Sequence, residues 1–407
     1  MKKIYLDNNA TTPIASEVFE AMSPFLKEEF YNPSSSYKFA DIPAKTIAHS
    51  RDIVCRFLGN VSPKEVLFTS GATESNNAAI FGAIKANPSR RHIITTTIEH
   101  PAVLEVCKEA KRMGLEVTFL PVDSNGEIST RAFVQALRPK ETLLVSIMHA
   151  NNETGVIYPV ETFARLTKET DAEILFHSDA TQSIGKLPIN LNENFINVDM
   201  LSMSAHKVHG PKGTGVLFIR KGSCWRPYLI GGHQEQGRRA GTENVAGITG
   251  LGRALELVWE HQAGPTLGKI RRLRDKLENA LIEKVPFIKI NGSNENRLPN
   301  TLNISCHFIE GEGILYQLDT HGISASSGSA CTSGSLEPSH VLRAMNVPFT
   351  AIHGSVRFSL GRYNSEEDIN YVIKVFPEII SNLRKISPYW NQEKNCPRDE
   401  QLIATKL

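Results

Sequence analysis

The stretch that decides the fold is VDMLSMSAHKVHGPKGTGVLFIRK, residues 198–221. Two short apolar runs, VDMLSMSAH (198–206) and GVLFIRK (215–221), flank a segment of histidines, lysines, glycines and a proline. Period alone does not separate such short runs from buried helix. Their length and the Gly/Pro segment between them favour strands buried on both faces. The pattern recurs upstream in EVLFTS (65–70), RHIITTT (91–97), LEVTFLPV (115–122), TLLVSIMHA (142–150) and EILFHSDA (173–180). Helical patterns fill several gaps. PAVLEVCKEAKRMG (101–114) opens on Pro101 and closes on Gly114, and VETFARLTKET spans 160–170. The alternation predicts an α/β domain built on a mostly parallel sheet of seven strands.

A long helical stretch at 243–284 leads out of this region. After it, FIKING (287–292), TLNISC (301–306) and SVRFSLG (355–361) read as strands, with helices near 311–320, 337–345 and 365–386. This reads as a smaller α+β domain. The expected division is a large domain at 15–260, a small domain made of 1–14 and 261–387, and a polar tail at 388–407.

With 407 residues, 41% hydrophobic and 22% charged, the chain is long enough and apolar enough to bury a substantial core. Its 45 basic and 43 acidic residues leave a net charge of +2, which gives no reason to expect nucleic acid or a membrane surface as partner. No uncharged apolar run approaches the ~20 residues of a membrane span, and MKKIYLDNNATTP does not read as a signal peptide. The chain reads as cytoplasmic. Cys55, Cys107, Cys224, Cys306, Cys331 and Cys396 never form C-x-x-C, so neither a metal site nor a disulfide framework is expected. Cys396 reads as a bystander.

In open parallel sheets, ligands bind beyond the carboxyl ends of the strands. Three such ends stand out. TSGATESNN (69–77) sets small residues, then Thr73 and Glu74, at a helix start, where free N–H groups can hold a phosphate. A plain turn with an N-cap reads equally well. FHSDATQSIGK (176–186) leaves Asp179 at a sheet mouth, where a buried carboxylate needs a partner or serves as a cap. SMSAHKVHGPKGTG (202–215) places Lys207 just past a strand, as a Schiff-base amine or an ordinary surface charge. A phosphate cradle, a carboxylate and a lysine together are what pyridoxal 5′-phosphate (PLP) requires: donors for its phosphate, an acid for its ring nitrogen, an amine for its aldehyde.

YLDNNATTP, NPSS, FTSGATESNN, EHPAVL, ANNETG, SDATQSIGK, SAHKVHGPKG, GGHQEQGRRAGTENV and SSGSACTSGSLEPSHVLRAM follow one another from about residue 5 onward. In this order they resemble the signature segments of the cysteine desulfurases, PLP enzymes of the class V aminotransferase superfamily with the type I fold. SPYW (387–390) and the GGHQEQGRRAGTEN form resemble most the nitrogen-fixation-type, NifS-like branch.

The resemblance implies roles residue by residue. Lys207 is the Schiff-base lysine, Asp179 the partner of the pyridine nitrogen, and Gln182 the hydrogen-bond partner of the ring's phenolic oxygen. His100 stacks on the ring and acts as acid–base group; without the resemblance it reads as a helix-entry histidine. Ala72, Thr73, Ser204 and His206 hold the phosphate. Thr242 reaches the phosphate of a neighbouring subunit, so the site needs a homodimer. Asn152 and Arg357 contact the amino-acid substrate, Arg357 through a fork suited to a carboxylate; by itself it reads as a surface arginine on a strand. Asn8 and Asn9 line the mouth without an assigned role.

Cys331 is the nucleophile that takes sulfur from L-cysteine as a persulfide, leaves L-alanine, and hands the sulfur to an iron–sulfur scaffold protein, in this branch for nitrogenase. Gly328, Gly334 and the small residues around Cys331 predict a weakly anchored segment ahead of a helix starting near Leu336-Glu337-Pro338. A free thiol titrates near ~8.5, so the site must lower that value or take the proton, with His100 as candidate. Competing readings are a selenocysteine lyase, another PLP enzyme such as an aminotransferase, a housekeeping iron–sulfur desulfurase, and a silent protein that only holds clusters.

Overall fold

The computed structural model describes residues 2–262, 266–327, 338–394 and 396–398. Twelve strands organise most of it. In chain order they are β1 Ile4–Tyr5, β2 Val66–Thr69, β3 His92–Thr96, β4 Glu116–Leu120, β5 Thr142–Ser146, β6 Leu175–Asp179, β7 Met200–Ser204, β8 Gly215–Ile219, β9 Ile288–Ile290, β10 Thr301–Cys306, β11 Ile323–Ser324 and β12 Ser355–Ser359.

All seven runs read as strands in the first part of the chain fall in one sheet, ordered β2-β8-β7-β6-β5-β3-β4. Five of these strands, β4, β3, β5, β6 and β7, pair in parallel; β8 runs against both β7 and β2. Alternate residues pack on opposite faces, as the pleat requires. Phe68, Ile94, Val145, Phe176 and Leu201 join one apolar core, and Leu67, Ile93, Leu144, Leu175 and Met200 join the other. β4 departs from the expectation of strands buried on both faces. It is the sheet edge, with Glu116 exposed and Val117 to Phe119 half-buried.

A second sheet, β12-β10-β9, is antiparallel, and β1 pairs in parallel with β11. Ile4 and Leu6 sit in a separate core with Leu302, Val356, Phe358 and Phe376. Val341, Leu342, Met345 and Val347 instead belong to the core of the seven-stranded sheet. The expected single helix at 243–284 is two helices, Val245–Gln262 and Thr266–Lys284. Gly264 and Pro265 stand between them, and proline has no N–H to continue a helix. The helix expected from near Leu336 is described from His340 to Ala344, with Ser339 as its N-cap; its Oγ accepts from the Val341 and Leu342 amides.

The chain alternation leaves the carboxyl ends of β2, β3, β5, β6 and β7 on one edge of the sheet. Two local features hold that edge in shape. The helix Ala72–Ala86 lies close to Trp225, whose indole donates to the Ala78 carbonyl at 2.7 Å. A Cβ at Gly82 would stand 2.0 Å from that indole nitrogen. The second feature is Glu99, fully buried past the end of β3. Its Oε1 accepts from Thr96 Oγ1 and from the Met148 amide past β5, each at 2.9 Å. Its Oε2 has no hydrogen-bond partner among the described residues. Burial pushes this carboxyl up to about 8, against the pull of the Met148 and Thr96 contacts.

Two outcomes are expected. Gly82→Ala, a change that in an exposed helix stabilises by ~1 kcal/mol, should here destabilise by about 1–3 kcal/mol through overpacking. A lower urea midpoint at unchanged slope shows it, and a raised midpoint contradicts the Trp225 contact. Glu99 holds a proton in the native state that the unfolded chain releases from about pH 4.5 upward. Its contribution to stability therefore falls as pH rises between about 4.5 and 8. Relative to Glu99→Gln, the native chain should lose stability across that window by on the order of 1 kcal/mol per pH unit. Parallel urea profiles at pH 5.5 and 7.5 would contradict this.

Candidate active site

A cavity of ≈ 650 Å³ opens at the carboxyl edge of the sheet. That is the size of a cofactor-plus-substrate site. Ala72, Thr73, His100, Asn152, Asp179, Gln182, Ser204, His206, Lys207 and Arg357 all line it. They come from segments as far apart as residues 72 and 357, brought together by the sheet order.

At one end, Gly71 is the N-cap of the helix Ala72–Ala86, with φ +151 and open space beside it toward Ser204. Gly215 opposes it so closely that a Cβ there would meet the Gly71 Cα at 2.6 Å. Two glycines thus bring β8 against the turn and leave the amides of Ala72 and Thr73 at a free helix start. Glu74 lines the cavity beside this cradle. It accepts from the Ser70 amide and forms a two-point pair with Arg239, 2.8 and 3.1 Å. Burial raises its carboxyl, but these contacts outweigh it and hold the group below its ordinary value. His206 is driven down to about 4 by burial and by Lys207 and Lys212, so it enters the site neutral. Lys212 also lines the cavity, a cation that the sequence reading did not assign.

In the middle, Asp179 is buried at the end of β6. Oδ2 accepts from Asn76 at 2.7 Å and Oδ1 from the Thr181 amide at 2.9 Å. Both contacts are from neutral donors, which suits a carboxylate that awaits a cationic N–H. Lys207 ends the short turn after β7, and its Nζ donates to the carbonyls of Asn9 and Ala10 at 2.6 and 2.8 Å. Gln182 Nε2 donates to the same Asn9 carbonyl at 2.9 Å. His100 is the N-cap of the helix Pro101–Arg112, and its Nδ1 accepts from the Ala102 amide at 3.1 Å. That contact assigns the proton to Nε2. Burial lowers its pKa, as do Lys207 and His340, while Asp179 raises it. To accept a further proton, the ring must give up the Ala102 contact.

At the other end, Arg357 on β12 is 4% exposed rather than on the surface. Nη2 pairs with Asp7 at 2.7 Å, Nη1 donates to the Asn152 carbonyl at 3.0 Å, and Nε is buried without a partner among the described residues. Arg357 also lines the cavity, and a guanidinium fork there fits a carboxylate ligand.

Two expected site residues stand apart. Thr242 is exposed and does not line the cavity of its own chain. Cys331 lies outside the described residues. The chain leading to it is nevertheless fastened at the cavity: Ser326 lines the wall and exchanges main-chain hydrogen bonds with Arg357, 3.2 and 2.6 Å. Five residues of chain reach at most ~18 Å from Ser326. On the far side, Ser339 Oγ donates to the buried Glu153 at 2.5 Å, and His340 Nε2 donates to the Glu99 carbonyl at 2.9 Å.

Sequence reasoning left Asn9 without a role and did not single out Asn76, Gly215 or Lys212. All four lie in segments already singled out, Asn9 in YLDNNATTP, Asn76 in FTSGATESNN, and Lys212 and Gly215 in SMSAHKVHGPKGTG, but nothing in those segments states which partner each one meets.

The Aminotransferase class-V family model matches residues 4–372. A cysteine desulfurase of Nostoc sp. is 51% identical over 405 residues, 99% of this chain and 100% of the relative. The cysteine desulfurase NifS of Azotobacter vinelandii is 50% identical over 391 residues, 96% of each chain. Among solved structures, a NifS-like protein superposes with a TM-score of 0.87 at 40% identity, covering 94% of this chain and 100% of that one. The structure of SspA in complex with cysteine gives 0.78 at 36% identity, covering 89% and 100%. With a family match over most of its length and half of its residues shared with these relatives, the chain belongs to the class V aminotransferase family, in its cysteine desulfurase branch.

Proposed function

We propose that this protein uses PLP to move sulfur from L-cysteine onto Cys331, releasing L-alanine. The observation that carries the reading is one cavity that holds a helix-start anion cradle, a buried carboxylate whose hydrogen bonds come from neutral donors, a lysine and an arginine fork. Lys207 would hold the cofactor's aldehyde, Asp179 its ring nitrogen, and Ala72, Thr73, Ser204 and His206 its phosphate. Bound there, PLP supplies an electron sink beside the substrate's Cα.

The chain's own residues do the rest. Arg357 receives the substrate carboxylate through the fork that now spans Asp7 and Asn152, with Asn152 beside it. Lys207 Nζ, kept near the cavity by two carbonyls, moves protons at Cα. His100 presents Nε2–H over the same space as a proton donor. The Cys331 sulfur attacks the substrate sulfur; the S–S bond forms as the C–S bond breaks. The balance is L-cysteine plus a thiol giving L-alanine plus a persulfide, with no external oxidant. The outer sulfur then passes to an acceptor, for which an iron–sulfur scaffold protein is the proposed partner. Similarity to the Azotobacter NifS supports supply to nitrogenase clusters. The reaction is placed in the cytoplasm, whose reducing conditions keep such thiols free.

The homodimer is part of the same reading. Thr242 is exposed, and its segment is clamped to the large sheet by the Arg239–Glu74 pair and by a buried Arg51–Glu235 pair. Phe19, Leu26, Phe30, Phe39 and Ile230 expose 57–80% of their surface, an apolar area suited to a second copy.

Cys331→Ala should retain the visible band of bound PLP while sulfide and alanine production from L-cysteine fall by at least about 100-fold. Lys207→Ala should lose the covalently bound cofactor. Sustained turnover of L-cysteine by either variant refutes the assignment, and turnover of selenocysteine by Cys331→Ala would favour the lyase reading. Arg357→Lys keeps the charge but loses the fork. It should raise KM for L-cysteine about tenfold or more with PLP uptake unchanged; an unchanged KM removes Arg357 from substrate binding.

A further inference from the structure

Lys186 lies four residues after Gln182, and its Nζ donates to the Gln182 main-chain carbonyl at 2.8 Å and to Gln182 Oε1 at 3.3 Å. The residue is half-buried, and burial, Lys207 and Arg357 together push its ammonium down to about 7. Gln182 is 5% exposed, and its Nε2 donates to the Asn9 carbonyl.

A primary amide offers one acceptor oxygen and two N–H hydrogens. Here the oxygen faces Lys186 and one hydrogen is committed to Asn9. The second hydrogen is left for the cavity that Gln182 lines. Turning the amide over would set Nε2 against the Lys186 donor and Oε1 against the Asn9 carbonyl. Both contacts would become mismatches inside the protein, where unmade hydrogen bonds are costly. Asn9 selects the sense of the amide from one end, and Lys186 selects it from the other.

We propose that Lys186 is a positioning residue: it fixes the Gln182 amide with nitrogen toward the cavity, so that Gln182 can only donate to a ring oxygen bound there. This rests on the reading of the cavity as a PLP site. A phenolate oxygen accepts hydrogen bonds and cannot donate, so an amide of the opposite sense would repel it. Lys186 itself touches neither cofactor nor substrate. It acts through one amide, and its effect must vanish when that amide is absent.

The test uses the full chain loaded with PLP, reading the position of the visible absorption band and the PLP dissociation constant. Lys186→Met and Lys186→Leu both remove the donor and keep an apolar stem; circular dichroism identifies the folded variants. In these, the band should shift toward its position in Gln182→Ala, and PLP affinity should fall about three- to tenfold. Lys186→Arg, which keeps N–H donors, should retain the wild-type band. Adding Lys186→Met to Gln182→Ala should change neither readout further. A folded Lys186→Met with unaltered band and affinity overturns the proposal, as does an additive effect in the double variant. A wild-type chain that takes up no PLP overturns the site reading instead, so the two failures are distinguishable.

Discussion

One residue, Asn9, carries the geometry on which the site depends. Its carbonyl receives hydrogen bonds from Lys207 Nζ and Gln182 Nε2. Its side chain donates to the Asn152 carbonyl and Thr301 Oγ1 and accepts from Asn300, while its amide donates to Ser359 Oγ. It is 1% exposed, so each lost contact would leave a polar atom buried without a partner. The two sheets have separate apolar cores, and nonpolar packing alone fixes no register between them. A buried asparagine satisfied from both sides does, because amide geometry accepts little slippage. Lys207 is thus placed by the N-terminal segment as much as by its own strand.

The electrostatics follow from burial. The site gathers several titratable groups but keeps few of them charged. Burial and neighbouring lysines hold His206 neutral, burial lowers His100, and burial pushes Glu99 to about 8 and Glu153 to about 7. Glu74, held below its ordinary value, lines the cradle end as well and is matched by Arg239. The charges that face the cavity are then mainly Glu74, Asp179, Lys207, Lys212 and the Arg357–Asp7 pair. With Glu74 matched by Arg239, Lys207 and Lys212 suit a phosphate at the cradle end and Asp179 suits a ring N–H in the middle. At the far end, Asp7 occupies part of the arginine fork, so a substrate carboxylate must share or displace it.

Much of this was legible in sequence. The seven strands of the large sheet were readable because each is a short β-rich run bounded by polar residues, and helix starts such as Pro101 because capping is local. The reversed direction of β8 was not readable, since a ten-residue connection after β7 does not state whether the next strand returns or crosses over. The edge position of β4 depends on what lies beside it, which no local pattern encodes. In the site, Asp179, Lys207 and Thr73 were visible as polar residues at strand ends. Arg357 by itself read as a surface residue, and β12 instead buries it between Asp7 and Asn152. Asn76 and Lys186 escaped because their importance lies in which acceptor they reach, a property of the folded chain.

The same strand that places Arg357 also bears on the chemistry of Cys331. Main-chain hydrogen bonds join Arg357 to Ser326, the last stretch before the cysteine segment. Arg357 and the last described residues before the cysteine segment are therefore neighbours in one ladder. On the return side, Ser339 and His340 fasten to Glu153 and to the Glu99 carbonyl, which adjoin Asn152 and His100 in sequence. The described residues on either side of the cysteine segment are thus joined to Arg357 or to sequence neighbours of Asn152 and His100, all of which line the cavity. Chain length between two fixed points limits how far any residue between them can lie from either.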